Sequence, residues 1–173
     1  QLSGSAQKGP LISGSYVWVS ELDESLESIG KTYITQTTDY LGNFKLGANI
    51  SSNLVEIIAD GYFMDETTGG LSTSKIAMSS IADLSIDTSP TVNILTTLQV
   101  PRLKVLMDTL SYSASLTASQ GEILAAFGIN SGSVTNLNGL FSMEINGSSD
   151  PDAVLLATSS ILMQMAGTRS VET

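Results

Sequence analysis

The chain has no cysteine and no histidine in its 173 residues. Without cysteine there is no disulfide, no thiol nucleophile and no thiolate zinc site. Without histidine the Ser-His-Asp triad and imidazole metal ligands are excluded as well. Acid–base chemistry is left to carboxylates, lysines and tyrosines. Basic residues are scarce: 7 Lys and Arg stand against 17 Asp and Glu, a net charge of −10. Nucleic-acid affinity comes from cations that neutralise phosphates, so neither a nucleic acid nor an anionic membrane is an expected partner. Long apolar runs are missing too. The longest uncharged apolar stretch, residues 153–167, is shorter than the ~20 residues that a membrane helix needs. No membrane span is expected in this chain.

What is present supports a folded protein. Apolar residues make up 42% of the chain, enough to bury a core against the entropy of folding. The 27 serines and 17 threonines together make 44 of 173 residues. A hydroxyl-rich, acidic, cysteine-free composition fits an exported bacterial protein, so an extracellular or cell-surface location is expected. The sequence opens on Gln1 and not on Met, which suggests processing or a longer parent.

The first half carries strand patterns. Residues 2–7 read as an opening strand broken at Lys8-Gly9-Pro10, because proline cannot donate to a central ladder. Residues 15–22 alternate, with Val17 and Val19 on one face and Tyr16 and Trp18 on the other. Residues 23–30 read as a polar connection and 31–38 as a Thr-rich strand containing Tyr33. Asp39 to Gly42 is a turn: the Asp side chain caps its own backbone and Gly42 permits positive φ. A return strand starts at Asn43. Residues 54–59 form the strongest strand, closed by Asp60-Gly61, and both of its faces are largely apolar. One wet face would not look like that, so the second half of the chain is expected to cover it. Residues 75–84 read as the last strand.

From about Ser89 the period becomes helical. Residues 91–112 carry apolar side chains at helical spacing, interrupted by Pro101, so two segments meeting there are expected. A second helix is expected over 117–127, with Thr117 as N-cap and Gly128 as C-cap. Residues 130–149 read as loop with an ordered piece near 140–145. Asp150 and Pro151 open a last helix running to about Ala166. It is apolar nearly all round, which predicts burial, inside the chain or against a second copy.

Three motifs in order support a family resemblance: Ser3-Gly4-x-x-x-x-Gly9-Pro10-Leu11-Ile12-Ser13-Gly14-x-x-Val17-x-Val19, Thr38-Asp39-x-x-Gly42-x-Phe44-x-Leu46 and Ala59-x-Gly61-Tyr62. Residues 1–85 resemble the carboxypeptidase-regulatory-like domains, which are transthyretin-like and related to pilus-type Cna B domains. The whole chain is also similar to exported bacterial lipoproteins that join such a domain to a helical one, through Val92-Asn-Ile-Leu-Thr-Thr-Leu98 and Ile123-Leu-Ala-Ala-Phe-Gly-Ile129. The resemblance implies an immunoglobulin-like β-sandwich in a structural, adhesive or glycan-contacting role, without carboxypeptidase activity.

Candidate chemistry is sparse. The Cna B relationship implies a possible Lys–Asn or Lys–Asp isopeptide bond promoted by a buried acid, and Lys8, Glu56 and Asp83 are the candidates. The alternative is that Lys8 is a solvated edge residue and that Glu56 pairs with a base or faces the helical half. Acidic clusters at 21–27 and 65–66 offer oxygen ligands for calcium, but no spacing matches a calcium loop, so solvated loops are expected and no metal site or cofactor. Tyr16, Trp18 and Tyr33 form a candidate ligand platform, the alternative being that Trp18 packs under the helical half.

The expected fold is α+β, with a β-sandwich over residues 1–86 and a helical unit over 87–173 packed on it. The expected role is a non-enzymatic structural or adhesion module, exposed at the cell surface or secreted, within a longer lipoprotein anchored in the outer membrane. A carbohydrate-binding accessory module is the alternative. Partners would be a protein or glycan at the cell surface, with self-association through the apolar last helix.

Overall fold

Alternating apolar and polar residues build the first part of the molecule. The computed structural model describes residues 2–169, with side-chain surroundings described to residue 166. Its fold is α+β: seven strands in two mostly antiparallel sheets, and three α-helices. The strands are β1 (Leu2–Gln7), β2 (Tyr16–Leu22), β3 (Ser28–Gln36), β4 (Asn43–Leu46), β5 (Leu54–Gly61), β6 (Ile76–Asp83) and β7 (Thr91–Asn93). One sheet has the order β4-β1-β7 and the other β3-β2-β5-β6. All pairs are antiparallel except β1 with β7. Inward positions of both sheets meet in one cluster that includes Leu2, Phe44 and Val92 from the first and Val17, Val19, Ile57 and Met78 from the second. Period-two alternation puts those residues on one face of each strand.

Turn chemistry fixes the registers. Asp39 Oδ1 accepts from the backbone N–H of Leu41 and of Asn43, and Gly42 sits at φ +78°. A Cβ at Gly42 would lie 2.2 Å from the Ala6 carbonyl oxygen, so glycine is needed for both its conformation and its closeness. The expected polar connection at 23–30 is shorter than the composition suggested. Asp23 Oδ1 accepts from Ser25 N and Glu27 N, and β3 begins at Ser28. Leu26 adopts a left-handed φ of +63° and is buried. A tight turn has replaced a loop because the Asp side chain supplies the turn's acceptor.

β6 is not the last strand. Residues 91–93, expected to be helical, pair in parallel with β1 as β7. Asn93 then caps helix α1 (Ile94–Leu106), its side chain accepting from Thr96 N while Thr96 Oγ1 accepts from Asn93 N. This reciprocal capping box marks the true helix start. Pro101 does not split α1. It lies on the exposed side, where the carbonyl that it leaves without a donor can be hydrated.

Helix α2 (Tyr112–Ala126) starts earlier than expected, capped by Ser111 and not by Thr117. It ends as expected at Gly128, φ +74°, with Gly128 N bonded to Ala125 O and Ile129 N to Leu124 O. That pair of bonds is a Schellman closure. Helix α3 (Asp150–Arg169) is capped by Ser149, whose N–H donates to Asp152 Oδ2 while Asp152 N donates back to Ser149 Oγ. Asp150, the expected cap, is already in the helix.

The largest departure concerns burial of the last helix. Leu155, Thr158 and Ser159 point inward, while Leu156 and Ile161 are exposed, at 42% and 47%. Small hydroxyl residues occupy the inward stripe because they fit a close approach and satisfy themselves: Thr158 Oγ1 donates to the Val154 carbonyl. Helix–helix packing relies on Leu95, Leu124 and Leu155 together with Leu140, Met143 and Ile145 of the long loop. Among the described residues no helix is long and apolar enough to cross a membrane.

Helix α1 covers part of the outer face of the four-stranded sheet. Leu22, Leu26 and Ile81 pack there with Val100 and Leu103, joined at the edge by Leu54. Thr96 Oγ1 donates to the Ser79 carbonyl, and Thr97 Oγ1 accepts from Ser79 N. The expectation that the helical half would cover β5 holds at Leu54 and Glu56. Ile58, farther along the same face, stays 38% exposed.

Candidate functional site

The part of that face beyond α1 is open, and cross-strand register decides what it displays. Trp18 stands opposite Ile34 on β3 and Ile58 on β5; Tyr16 stands opposite Gln36 and Asp60. Ile34 is 61% exposed and Tyr16 47%, with Trp18 half-buried. The Tyr16 and Trp18 rings lie 5.7 Å apart, centroid to centroid, and are tilted by 31°. That spacing is normal for an interacting aromatic pair, and it forms one continuous apolar surface. Beside Tyr16 the surface runs into a shallow groove of about 240 Å³, walled by residues 12–15 and by Asp60, Tyr62 and Lys75. Lys75 Nζ lies 5.9 Å from the Tyr62 ring centroid, a cation–π distance. The site thus combines aromatic faces with a carboxylate, an amide and an ammonium.

Two of the three sequence-derived platform residues come together here, and the third does not. Tyr33 pairs with Val19, so it belongs to the inward face. Its hydroxyl donates to Glu21 Oε1 at 2.8 Å. Trp18 is not among the residues packed with the helices. Asp60, Gln36 and Lys75 were not singled out from the sequence. Only register could have found the first two, because each sits two positions from an apolar residue on its strand.

The isopeptide candidates stand in three different surroundings. Lys8 is buried, and its Nζ is 2.5 Å from Glu66 Oε1 and 2.8 Å from Ser159 Oγ of α3. The other Glu66 oxygen accepts from Gly9 N at 3.0 Å. Gly9 is required at that point, since a Cβ would overlap the Met64 carbonyl oxygen at 1.6 Å. Glu56 bonds Lys104 of α1 at 3.1 Å. Asp83 Oδ1 accepts from Ser85 N and Oγ. Lys8 is therefore no solvated edge residue, whereas Glu56 does pair with a base on the helical half.

The acidic clusters divide: Asp23, Glu24 and Glu27 are exposed, as expected, whereas Glu21 on β2 and Glu66 are engaged by the fold. Glu21 is fully buried. The Ser51 hydroxyl holds its carboxyl down to about 2 from an ordinary 4.5, against the opposing effect of burial, with help from Tyr33 and from the Ser51 and Ser52 N–H groups. Hydrogen bonds to the charged form outweigh desolvation. Glu66 is held by Lys8. Among the described residues no three acids gather where they could hold a metal ion. No family model matches the chain, and no curated protein or solved structure is significantly similar to it.

Proposed function

We propose that this chain is a non-enzymatic structural and adhesive module of the cell surface or of a secreted protein. In this reading it forms part of a longer bacterial lipoprotein of the outer membrane, with residues 1–86 as an immunoglobulin-like, transthyretin-like sandwich and 87–173 as a helical unit resting on it. The observation that carries the reading is the open face with Tyr16, Trp18, Ile34 and Ile58 displayed on a rigid sheet. Contiguous exposed apolar surface rimmed by polar groups marks interaction sites. Supporting it, the buried ionisable groups Lys8, Glu66 and Glu21 are committed to holding the fold. Beads coated with the protein should adhere to cells, and Tyr16→Ala/Trp18→Ala should release them. Equal adhesion by both proteins would sink the proposal.

The tilted Tyr16–Trp18 pair favours a second reading, a carbohydrate-binding accessory module. Pyranose faces stack on aromatic rings, and Gln36 and Asp60 flank Tyr16 across the sheet as polar groups that could bond sugar hydroxyls. A glycan array separates the readings: hits lost in Trp18→Ala support the sugar, and an array without hits beside retained adhesion supports a protein partner.

A further inference from the structure

Where β6 ends and α2 begins, the two halves leave a cleft of about 200 Å³. Its apolar walls come from Ile86 and Leu116 and from the rings of Tyr112 and Phe141. On the strand side it is lined by two half-buried carboxylates, Asp83 and Asp87. No lysine or arginine lines it, and neither aspartate is in an ion pair among the described residues. Asp83 Oδ1 accepts from Ser85, and Asp87 Oδ1 from Ser89 N. Those bonds orient the carboxylates without neutralising them. Burial, and after it the charge of Asp83, push the Tyr112 phenol well above its ordinary value. The negative field therefore reaches the aromatic wall of the cleft.

We propose that this cleft binds a small organic cation, a primary ammonium carried on a flat apolar body. The charge complementarity is specific. Two uncompensated carboxylates attract the ammonium, and aromatic faces attract it further through their quadrupoles. The same walls take the apolar body out of water. An anion of the same shape is repelled. A neutral isostere keeps only the apolar contact. The volume lies below the roughly 300–1,000 Å³ of drug-sized sites, so the ligand is of single-ring size. A mostly apolar pocket with a few convergent polar groups, one of them with a perturbed pKa, is the usual form of a small-molecule site. This site is separate from the open sheet face and does not depend on its role.

The test is an NMR titration of the full chain with 2-phenylethylamine, 2-phenylethanol and 3-phenylpropionate, each to about 10 mM, the range of weak fragment binding. The amine should give saturable shifts at the amides of Ile86, Asp87, Tyr112 and Leu116. The alcohol should bind at least about tenfold more weakly, and the acid should not bind, because one charge-assisted contact is worth about that factor. Asp83→Asn/Asp87→Asn should weaken the amine by about the same factor and leave the alcohol unchanged. Asn keeps the Oδ1 acceptor for Ser85 and Ser89, so the turns persist. Equal binding of amine and alcohol to the wild-type chain would overturn the proposal without any variant. So would shifts elsewhere, or none that saturate.

Discussion

One sheet face has two fates in this molecule. Toward Leu54 and Ile81 it lies under α1, and Leu22, Leu26, Val100 and Leu103 close over it. Toward Tyr16, Trp18 and Ile34 it is open. Strands β2 and β5 run through both parts, and the side chains are comparably apolar. Polar anchors fasten α1 over the covered part, Ser79 to Thr96 and Thr97 and Glu56 to Lys104, while Lys8 with Glu66 fastens α3 through Ser159. Apolar patterning gives the face its capacity for burial. Anchors decide which part is used for the fold and which remains for a partner.

That contrast can be broken most strongly at the buried anchor. Lys8→Met leaves Glu66 buried without its cation and should destabilise by about 3–5 kcal/mol in urea unfolding. Lys8→Met/Glu66→Leu should recover most of that loss. A double variant as unstable as the single one would show that the pair is not what matters there. Under the helix, Leu103→Ala should cost about 3 kcal/mol, the usual size for a fully buried leucine. On the open half, Ile34→Ser should change stability by no more than about 0.5 kcal/mol. If the two losses are alike, the open half is covered in solution.

Acid should loosen the β half before neutral-pH measurements register anything. Glu21 titrates near 2 in the folded chain against an ordinary 4.5. Its contribution is complete above about pH 4.5 and is lost as pH falls toward 2. Melting temperature should fall over that window, and Glu21→Gln should flatten the slope; an unchanged slope would refute the assignment. Smaller still is Ser115 of α2, whose Oγ is buried without a partner among the described residues. Ser115→Ala should stabilise by about 1 kcal/mol, seen as a higher urea midpoint. Last comes Glu56–Lys104 at the rim of the covered half. A double-mutant cycle should give a coupling of at most about 0.5–1 kcal/mol, because both groups are partly solvated.

How much was legible in the chain follows the range of the interactions. The Asp39–Gly42 turn, the Gly128 closure and the alternation of Val17, Tyr16, Val19 and Trp18 are local, and they appear where the sequence pattern puts them. β7 was missed because three residues carry no period of their own; they become a strand only by pairing with β1. From the sequence, Lys8 stays open between a cross-link site and a solvated edge residue for a similar reason. Its partners lie 58 and 151 residues away, and composition favours a solvated lysine. Leu26 does lie in the connection, between β2 and β3, but it is buried, and a lone leucine among acids is the signal for that.

By itself the sequence determined most of the strand pattern, the Asp39–Gly42 turn and the helix end at Gly128, and with its missing cysteine and histidine it closed off whole classes of chemistry. It also set which side chains share a face, since a period of two or of 3.6 is a property of the backbone. Only the tertiary structure decided that α1 covers half of one sheet face, that Tyr33 turns inward while Tyr16 and Trp18 remain outside, and that α3 buries its hydroxyls and exposes Leu156 and Ile161. Those outcomes depend on partners distant in sequence. A buried charge or hydroxyl needs a complementary group at hydrogen-bond distance, and only the folded chain brings the two together.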